Sequence, residues 1–300
     1  MKIIHCGLMV NGRPNEGLSG AFKKVATEFN EIPLNKHSPD EIRKSFIPDI
    51  LFLQIHNATV DGVDSRQLFE RLIKDLESKG TKVINWNGDI RRIPPMWMSS
   101  LGLTAFTNMR DIKAMGGKFL QIGIDPEVFK RWSDHENDDV VFMGNNYGNQ
   151  FPMGQYRREA CKILKSMGAK LYGNYEGSID NLNADPKNPF PKQSAESKIY
   201  SECGIAISIS HFDVDRYTSD RLLRCMGSGA FTLSYHYKGI EQDFTPGVHL
   251  DTFRSHKEMI EKIQYYKEHK ELRQKIADQG YKHIHANFTY DNMVQNIIEL

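Results

Sequence analysis

Three hundred residues, 39% of them apolar, suffice for one large domain or two of ordinary size, each with its own core, and argue against a disordered chain. Thirty-nine basic residues against 38 acidic ones leave a formal charge of +1, so binding to nucleic acid or anionic lipid would need a local patch rather than a global field. Cys6, Cys161, Cys203 and Cys225 form no Cys-x-x-Cys pair, which argues against a zinc ribbon or dithiol motif and reads as reduced, buried thiols.

The opening MKIIHCGLMVNG is interrupted by His5, Gly7 and Asn11, and reads as a first strand rather than a signal peptide. No stretch approaches the roughly 18 apolar residues of a membrane span. The expectation is a soluble, cytoplasmic protein with no membrane insertion. GLSGAFKKVATEFNEI reads as a helix; DILFLQIHN is a strand followed by the helix SRQLFERLIKDLESKG. TKVINWN and LTAFTN are further strands, the second leading through a short helix to KFLQIGI. Strands alternating with helices predict a parallel α/β sheet.

This half offers five candidate site positions. Gly17 and Ser19 in GLSGAF would let a phosphate or an acceptor approach the backbone after the first strand. His56 and Asp89 fall at the ends of the second and third strands, where a base could deprotonate an acceptor hydroxyl. Asp89 is equally suited to cap a turn or pair with Arg91 or Arg92, and a lone histidine such as His56 is equally suited to a structural role. Arg91, on the acceptor-side loop, joins Arg92, Arg110, Lys113 and Lys118 in a candidate phosphate-binding patch.

RWSDHENDD is polar and without apolar period, and reads as a linker. The alternation then restarts with DVVFMGNN, the helix QYRREACKILKSMG and the strand AKLYGNY. Gly144, Gly148 and Gly154 do not have the Gly-x-Gly-x-x-Gly spacing of a dinucleotide site, although Asn145 could face a ligand there. Tyr172 and Asn174 end the next strand, where an aromatic ring could stack on a base or simply join the core. The Asn/Asp/Pro-rich 178–191 stretch is long enough to be a lid or a surface insertion.

SAESKIYSECG and IAISIS lead into HFDVDRY, whose Asp213 and Asp215 could hold sugar hydroxyls. Tyr217, Thr218 and Ser219 then precede the short helix DRLLRCMG, with Arg221 in its first turn. Free N–H groups, hydroxyls and Arg221 there would suit a phosphate, whereas the plainer reading makes Ser219 an ordinary N-cap. FTLS, the turn FTPGVHLDTF and the helical runs from His256 to Phe288 and Thr289 to Leu300 complete the chain. Two doubly wound halves result, 1–130 and 138–288, with a last helix at about 289–300 able to pack back on the first, and with a ligand cleft expected where the two sheets face each other.

The order FMG, LYGNY, SDRLLRCMGSGAFTLS, GIEQDFTPGVHLDTF, ADQGYKHIHANFTYDNMV resembles the C-terminal half of GT-B glycosyltransferases of the CgeB-like kind, related to glycosyltransferase family 4. QIGIDPEVF resembles the segment those enzymes place between their halves. The resemblance covers roughly 119–300 and implies a GT-B fold of two Rossmann-like domains around a central cleft. It also implies an enzyme that transfers a hexose or pentose, with retention, from a nucleotide-sugar, a UDP-sugar first, to a hydroxyl acceptor. On that resemblance Ser219 and Arg221 contact the diphosphate, with Gly144, Asn145, Tyr172, Asn174, Asp213, Tyr217 and Thr218 on the donor side. The family's acidic ribose contact falls on Arg224, and Glu241 is a candidate substitute. No metal is expected to be required. The acceptor is a glycan or, since DNA modifiers share the fold, a hydroxymethylated DNA base. A nucleotide-sugar 2-epimerase and a non-catalytic nucleotide-sugar-binding module are the alternatives.

Overall fold

The computed structural model describes residues 1–7, 14–33, 40–54, 59–60, 63–64, 66–90, 96, 101–133, 137–176, 178 and 193–300. His56, Arg91, Arg92 and the 179–191 stretch lie outside the described residues. The chain divides into two units, Met1–Gly123 with Tyr290–Leu300, and Ile124–Thr289.

The first unit contains β1 (Lys2–Gly7), α1 (Pro14–Val25), β2 (Glu28–Pro33), α2 (Asp40–Arg43), β3 (Ile50–Leu53) and the small hairpin β4 (Thr59–Val60) and β5 (Val63–Asp64). It continues with α3 (Arg66–Ser78), β6 (Lys82–Asn87), β7 (Leu103–Phe106), α4 (Met109–Met115) and β8 (Lys118–Phe119). Six strands form one sheet in the order β2-β1-β3-β6-β7-β8, every pairing parallel. A parallel sheet must be covered on both faces. On one face α3 supplies Phe69, Leu72, Ile73 and Leu76, the spacing of a single helical stripe.

Glu28–Pro33, read from sequence as the end of a helix, is instead an edge strand. The helix stops at Val25 because Thr27 is held by the chain start: its N–H donates to the Met1 carbonyl (2.8 Å) and its Oγ1 accepts from the terminal amine (2.9 Å). Pairing with β1 then overrides local helical preference.

The second unit contains β9 (Val140–Gly144), α5 (Gly154–Ser166), β10 (Lys170–Gly173), α6 (Gln193–Glu202), β11 (Ile205–Ser208), α7 (Asp220–Gly227), β12 (Thr232–Tyr235), β13 (Asp251–Phe253), α8 (His256–Glu268) and α9 (Lys270–Asn287). Its sheet is again all parallel, in the order β10-β9-β11-β12-β13. The helical run after β13 breaks at His269, whose backbone (φ −109°, ψ 60°) leaves the helix while its Nδ1 bonds to the Tyr265 carbonyl at 2.7 Å.

The boundary between units falls at Gly123 and Ile124, upstream of the polar RWSDHENDD stretch. Ile124 is buried in the second unit, donates its N–H to the Phe288 carbonyl (2.8 Å), and occupies the space a Cβ on Gly227 would need. Phe129 is buried beneath the Arg224 guanidinium. The last helix, α10 (Tyr290–Glu299), belongs to the first unit, where Tyr290, Met293, Val294 and Ile297 join Leu18 and Phe22 of α1 in the second face of the core.

Candidate functional site

In the second sheet the chain runs from β9 outward to β10, then crosses back to lay β11 on the other side of β9. Reversal of this kind opens a crevice at the carboxyl ends of the two strands, the place where open α/β sheets hold ligands. Residues at those ends and on the helices that follow them form the site.

Arg157 sits one turn into α5, in phase with Ala160, Cys161 and Leu164, and is fully buried. None of its three guanidinium nitrogens makes a hydrogen bond of good geometry; the Tyr175 hydroxyl, which donates to the Asn145 carbonyl, is the polar group beside it. Arg221, in the first turn of α7, donates one N–H to the Ile209 carbonyl (3.2 Å). Both guanidinium carbons lie over the buried Phe142 ring, at 5.4 and 5.7 Å from its centre. Burial, and then the neighbouring Arg221, push the Arg157 guanidinium down to about 9, so it is charged at neutral pH. Two like charges are therefore held together at a strand end in low dielectric, an arrangement that favours a dianion.

Gly144 makes room for them. A Cβ there would fall 2.6 Å from Arg157 Nη2 and 2.9 Å from Arg221 Nη2. Gly173, at φ +135°, is needed for a similar reason, since a Cβ on it would meet the Gly144 carbonyl at 2.0 Å. The loop after β9 is fixed by its neighbours: Asn174 accepts from the Asn146 N–H and returns a bond to its carbonyl (3.2 Å), and the Tyr175 hydroxyl donates to the Asn145 carbonyl (3.1 Å). Tyr172 is partly buried beside them. His211, after β11, packs its ring against Tyr147 and Phe151, and neither ring nitrogen makes a hydrogen bond of good geometry.

Around α7 the structure corrects three expectations. Thr218 is buried and its hydroxyl bonds to that of Tyr237 at 2.6 Å, so it is a packing contact rather than a phosphate ligand. Ser219 has the extended backbone of an N-cap but makes no side-chain cap bond; with Ser208, Ser210, Ser234, Tyr235 and Tyr237 it is among the residues lining a small recess. The Arg221 N–H is taken by the Asp220 carboxylate (2.8 Å), so the helix start is not a bare row of donors.

The approach to α7 is rigid, with Arg216 at φ +55° held by a two-pronged pair to Asp243 (2.8 and 3.1 Å). Tyr217 lies partly exposed edge-on to Phe212, and Asp213 is exposed. Asp215 pairs with Lys238 (3.2 Å) and Glu241 with His236 (2.7 Å). Arg224, where the resemblance places an acid, pairs with Glu196 of α6 (3.2 Å) and Asp220 (2.9 Å).

The first sheet has its own reversal between β1 and β3. There His5 is fully buried, its Nε2 bonded to Gln54 Oε1 (2.7 Å) and its Nδ1 to Ser19 Oγ (2.8 Å). With Nε2 donating to the amide oxygen, the Ser19 hydroxyl donates to Nδ1. Burial pushes the imidazole down to about 4. Gly17 and Ser19 are therefore not on an acceptor-side loop: α1 begins at Pro14, a favoured first helical residue, and Ser19 is a buried partner of His5. Asp89 is exposed in the turn just after β6. Arg110 of the expected phosphate patch is paired with Asp111 at 2.7 Å. Among the described residues, no group of three or more His, Cys, Asp or Glu side chains is placed to hold a metal, and no helix is long and apolar enough to cross a membrane.

Two successive parallel sheets, each doubly wound and the second ending in a paired-arginine crevice, define the class: the fold is that of GT-B glycosyltransferases. Residues 155–299, from the first turn of α5 to the end of α10, match the family described as glycosyl transferase-like. An alpha-glucosyltransferase in complex with UDP-glucose and DNA containing an abasic site superposes with a TM-score of 0.69 at 12% identity, over 99% of this chain and 98% of that one. Sucrose-phosphate synthase from Thermosynechococcus elongatus superposes with a TM-score of 0.68 at 8% identity, over 100% and 98%. A local likeness, 33% identity over 87 residues, links 29% of the chain to 13% of a 3-(3-hydroxy-phenyl)propionate/3-hydroxycinnamic acid hydroxylase from Mycobacterium avium (strain 104).

Proposed function

We propose that the chain is a glycosyltransferase that takes a sugar from a nucleotide-diphosphate donor, a UDP-sugar first among them, and passes it to a hydroxyl acceptor. The observation that carries this reading is Arg157: a fully buried guanidinium with no hydrogen bond of good geometry, beside a second guanidinium at the carboxyl end of the central strand. An uncompensated buried charge is costly, and a diphosphate is the partner that relieves it.

As the bond from the anomeric carbon to the diphosphate breaks, negative charge grows on the leaving oxygens. Two guanidiniums already fixed over Phe142 stabilise that charge without reorganising. The proposal needs no metal ion. Gly144, Asn145 and Ser219 line the approach of the phosphates, Tyr172 and Asn174 the place of the base, and Asp213 and Tyr217 the sugar. In the first unit, exposed Asp89 is the residue proposed to orient or deprotonate the acceptor.

The acceptor is a glycan or a hydroxymethylated base in DNA; salt-sensitive retention on DNA separates them, because phosphate contacts weaken with salt. A thermal-shift screen against nucleoside diphosphates and their sugars tests the donor. A ligand at about 100 times its dissociation constant stabilises by about 2.7 kcal/mol. A clear rise with one nucleotide series is expected, and no rise with any of them contradicts the reading.

A further inference from the structure

We propose that His211 is a third ligand of the anion held by Arg157 and Arg221, and that its imidazole takes up a proton as the anion binds. The inference rests on the diphosphate reading above and adds to it a proton linkage: nucleotide-sugar binding tightens as the pH falls.

The geometry is specific. The His211 carbonyl accepts from the Met153 N–H (3.1 Å), which ties it to the start of α5. Its ring is clasped by Tyr147 and Phe151, with centroids at 5.1 and 4.9 Å. Nδ1 and Nε2 are both shielded from solvent and neither makes a hydrogen bond of good geometry, the Asn145 backbone being the polar group that acts on the ring. Packing this close fixes the plane of a ring whose polar atoms are unsatisfied, which is unusual unless a ligand satisfies them.

The charges facing the ring explain its state. Arg157 approaches from α5 and Arg221 from α7, while the Tyr147 ring packs on it from the loop after β9. Burial first, and then the two guanidiniums, push the imidazole down to about 3; the Asn145 backbone pulls the other way. It is neutral in the free protein, with one N–H and one lone pair. A bound diphosphate reverses that field, since two negative charges offset the guanidiniums and supply acceptors. A lone pair turned toward phosphate oxygen is repulsive, and protonation converts it into a second donor. The proton comes from bulk solvent and returns to it on release. No bond of the donor is made or broken.

The test is calorimetric titration of the full chain with UDP-glucose, and with GDP-mannose as a second probe, in two buffers of different ionisation enthalpy. Both are diphosphates esterified at each end, so they do not titrate near neutrality. Net proton uptake is expected, growing from about pH 8 toward about pH 6, with affinity rising by up to about tenfold per pH unit where uptake is complete. His211→Gln keeps an N–H donor but cannot titrate, so whatever affinity it retains should be independent of pH across that window, with both the proton uptake and the tightening lost. An imidazole C2–H titration of the unaltered chain by NMR gives an independent reading, in which one histidine should become protonated on binding. Binding without uptake, or uptake that survives in His211→Gln, overturns the role of His211 and leaves the diphosphate reading standing. Failure of both probes to bind overturns the reading and the inference together.

Discussion

At the scale of single residues, the proposed site exchanges stability for binding. Arg157 is buried without a hydrogen bond of good geometry, so Arg157→Leu, which keeps the stripe apolar, is expected to raise the melting temperature of the ligand-free protein. The same change should weaken nucleotide-sugar binding by about 10- to 100-fold, the worth of a charge-assisted hydrogen bond of about 1.5–3 kcal/mol. Calorimetry and thermal denaturation on one preparation check both; a less stable variant with unchanged affinity would contradict the assignment. Gly144→Ala tests the steric side. Its methyl group must displace Arg157 and Arg221, so affinity should fall while the sheet remains folded, as read by titration and circular dichroism. Arg221 was legible through the resemblance, which sets Ser219 and Arg221 at the start of that helix against the diphosphate. Arg157 and His211 were not, although Arg157 left a signal: an arginine in phase with Ala160, Cys161 and Leu164 is a charge on an apolar stripe. Thr218 and Ser19 failed for the opposite reason. A hydroxyl near a strand end reads the same in sequence whether it meets a ligand or, as here, a buried tyrosine or histidine.

At the scale of elements, α10 is the piece whose sequence position and structural place differ most. It follows the second unit in the chain but buries Met293, Val294 and Ile297 in the first. Ile297→Ala should therefore destabilise the first unit by about 2–5 kcal/mol, the range for deleting a buried aliphatic side chain. Calorimetric unfolding should show the loss in one transition and leave nucleotide binding by the second unit unchanged. Loss of both together would contradict the division. The alternation of strands and helices was readable because parallel strands are continuous apolar runs, as in ILFL and IAIS, and helices such as α3 carry a clean stripe. β2 was hidden since EFNEIP has no strong strand pattern and takes its form from pairing with β1.

At the scale of the whole molecule, titration of a buried histidine links stability to pH. His5 protonates near 6.5 when unfolded and at about 4 when folded, so between those values the unfolded chain binds the extra proton. Its contribution is present above about pH 6.5 and is lost as the pH falls toward 4, to a total of about 3 kcal/mol. Denaturant unfolding across that window should show the decline, and His5→Gln should make it shallower, leaving the share of His211, which burial also pushes down, to about 3; an unaltered slope in the variant would contradict the assignment. Transfer itself is the central claim. The most direct measurement follows release of nucleoside diphosphate and appearance of glycosylated product from the donor identified by binding, with glycan and hydroxymethylated DNA acceptors, for the wild-type chain, Arg157→Leu and Asp89→Asn. Acceptor-dependent release matched by product is expected, abolished or strongly reduced in Arg157→Leu and slowed about 10²- to 10⁴-fold in Asp89→Asn. Donor that binds but is never transferred, or is only converted to an epimer without any acceptor, would contradict it.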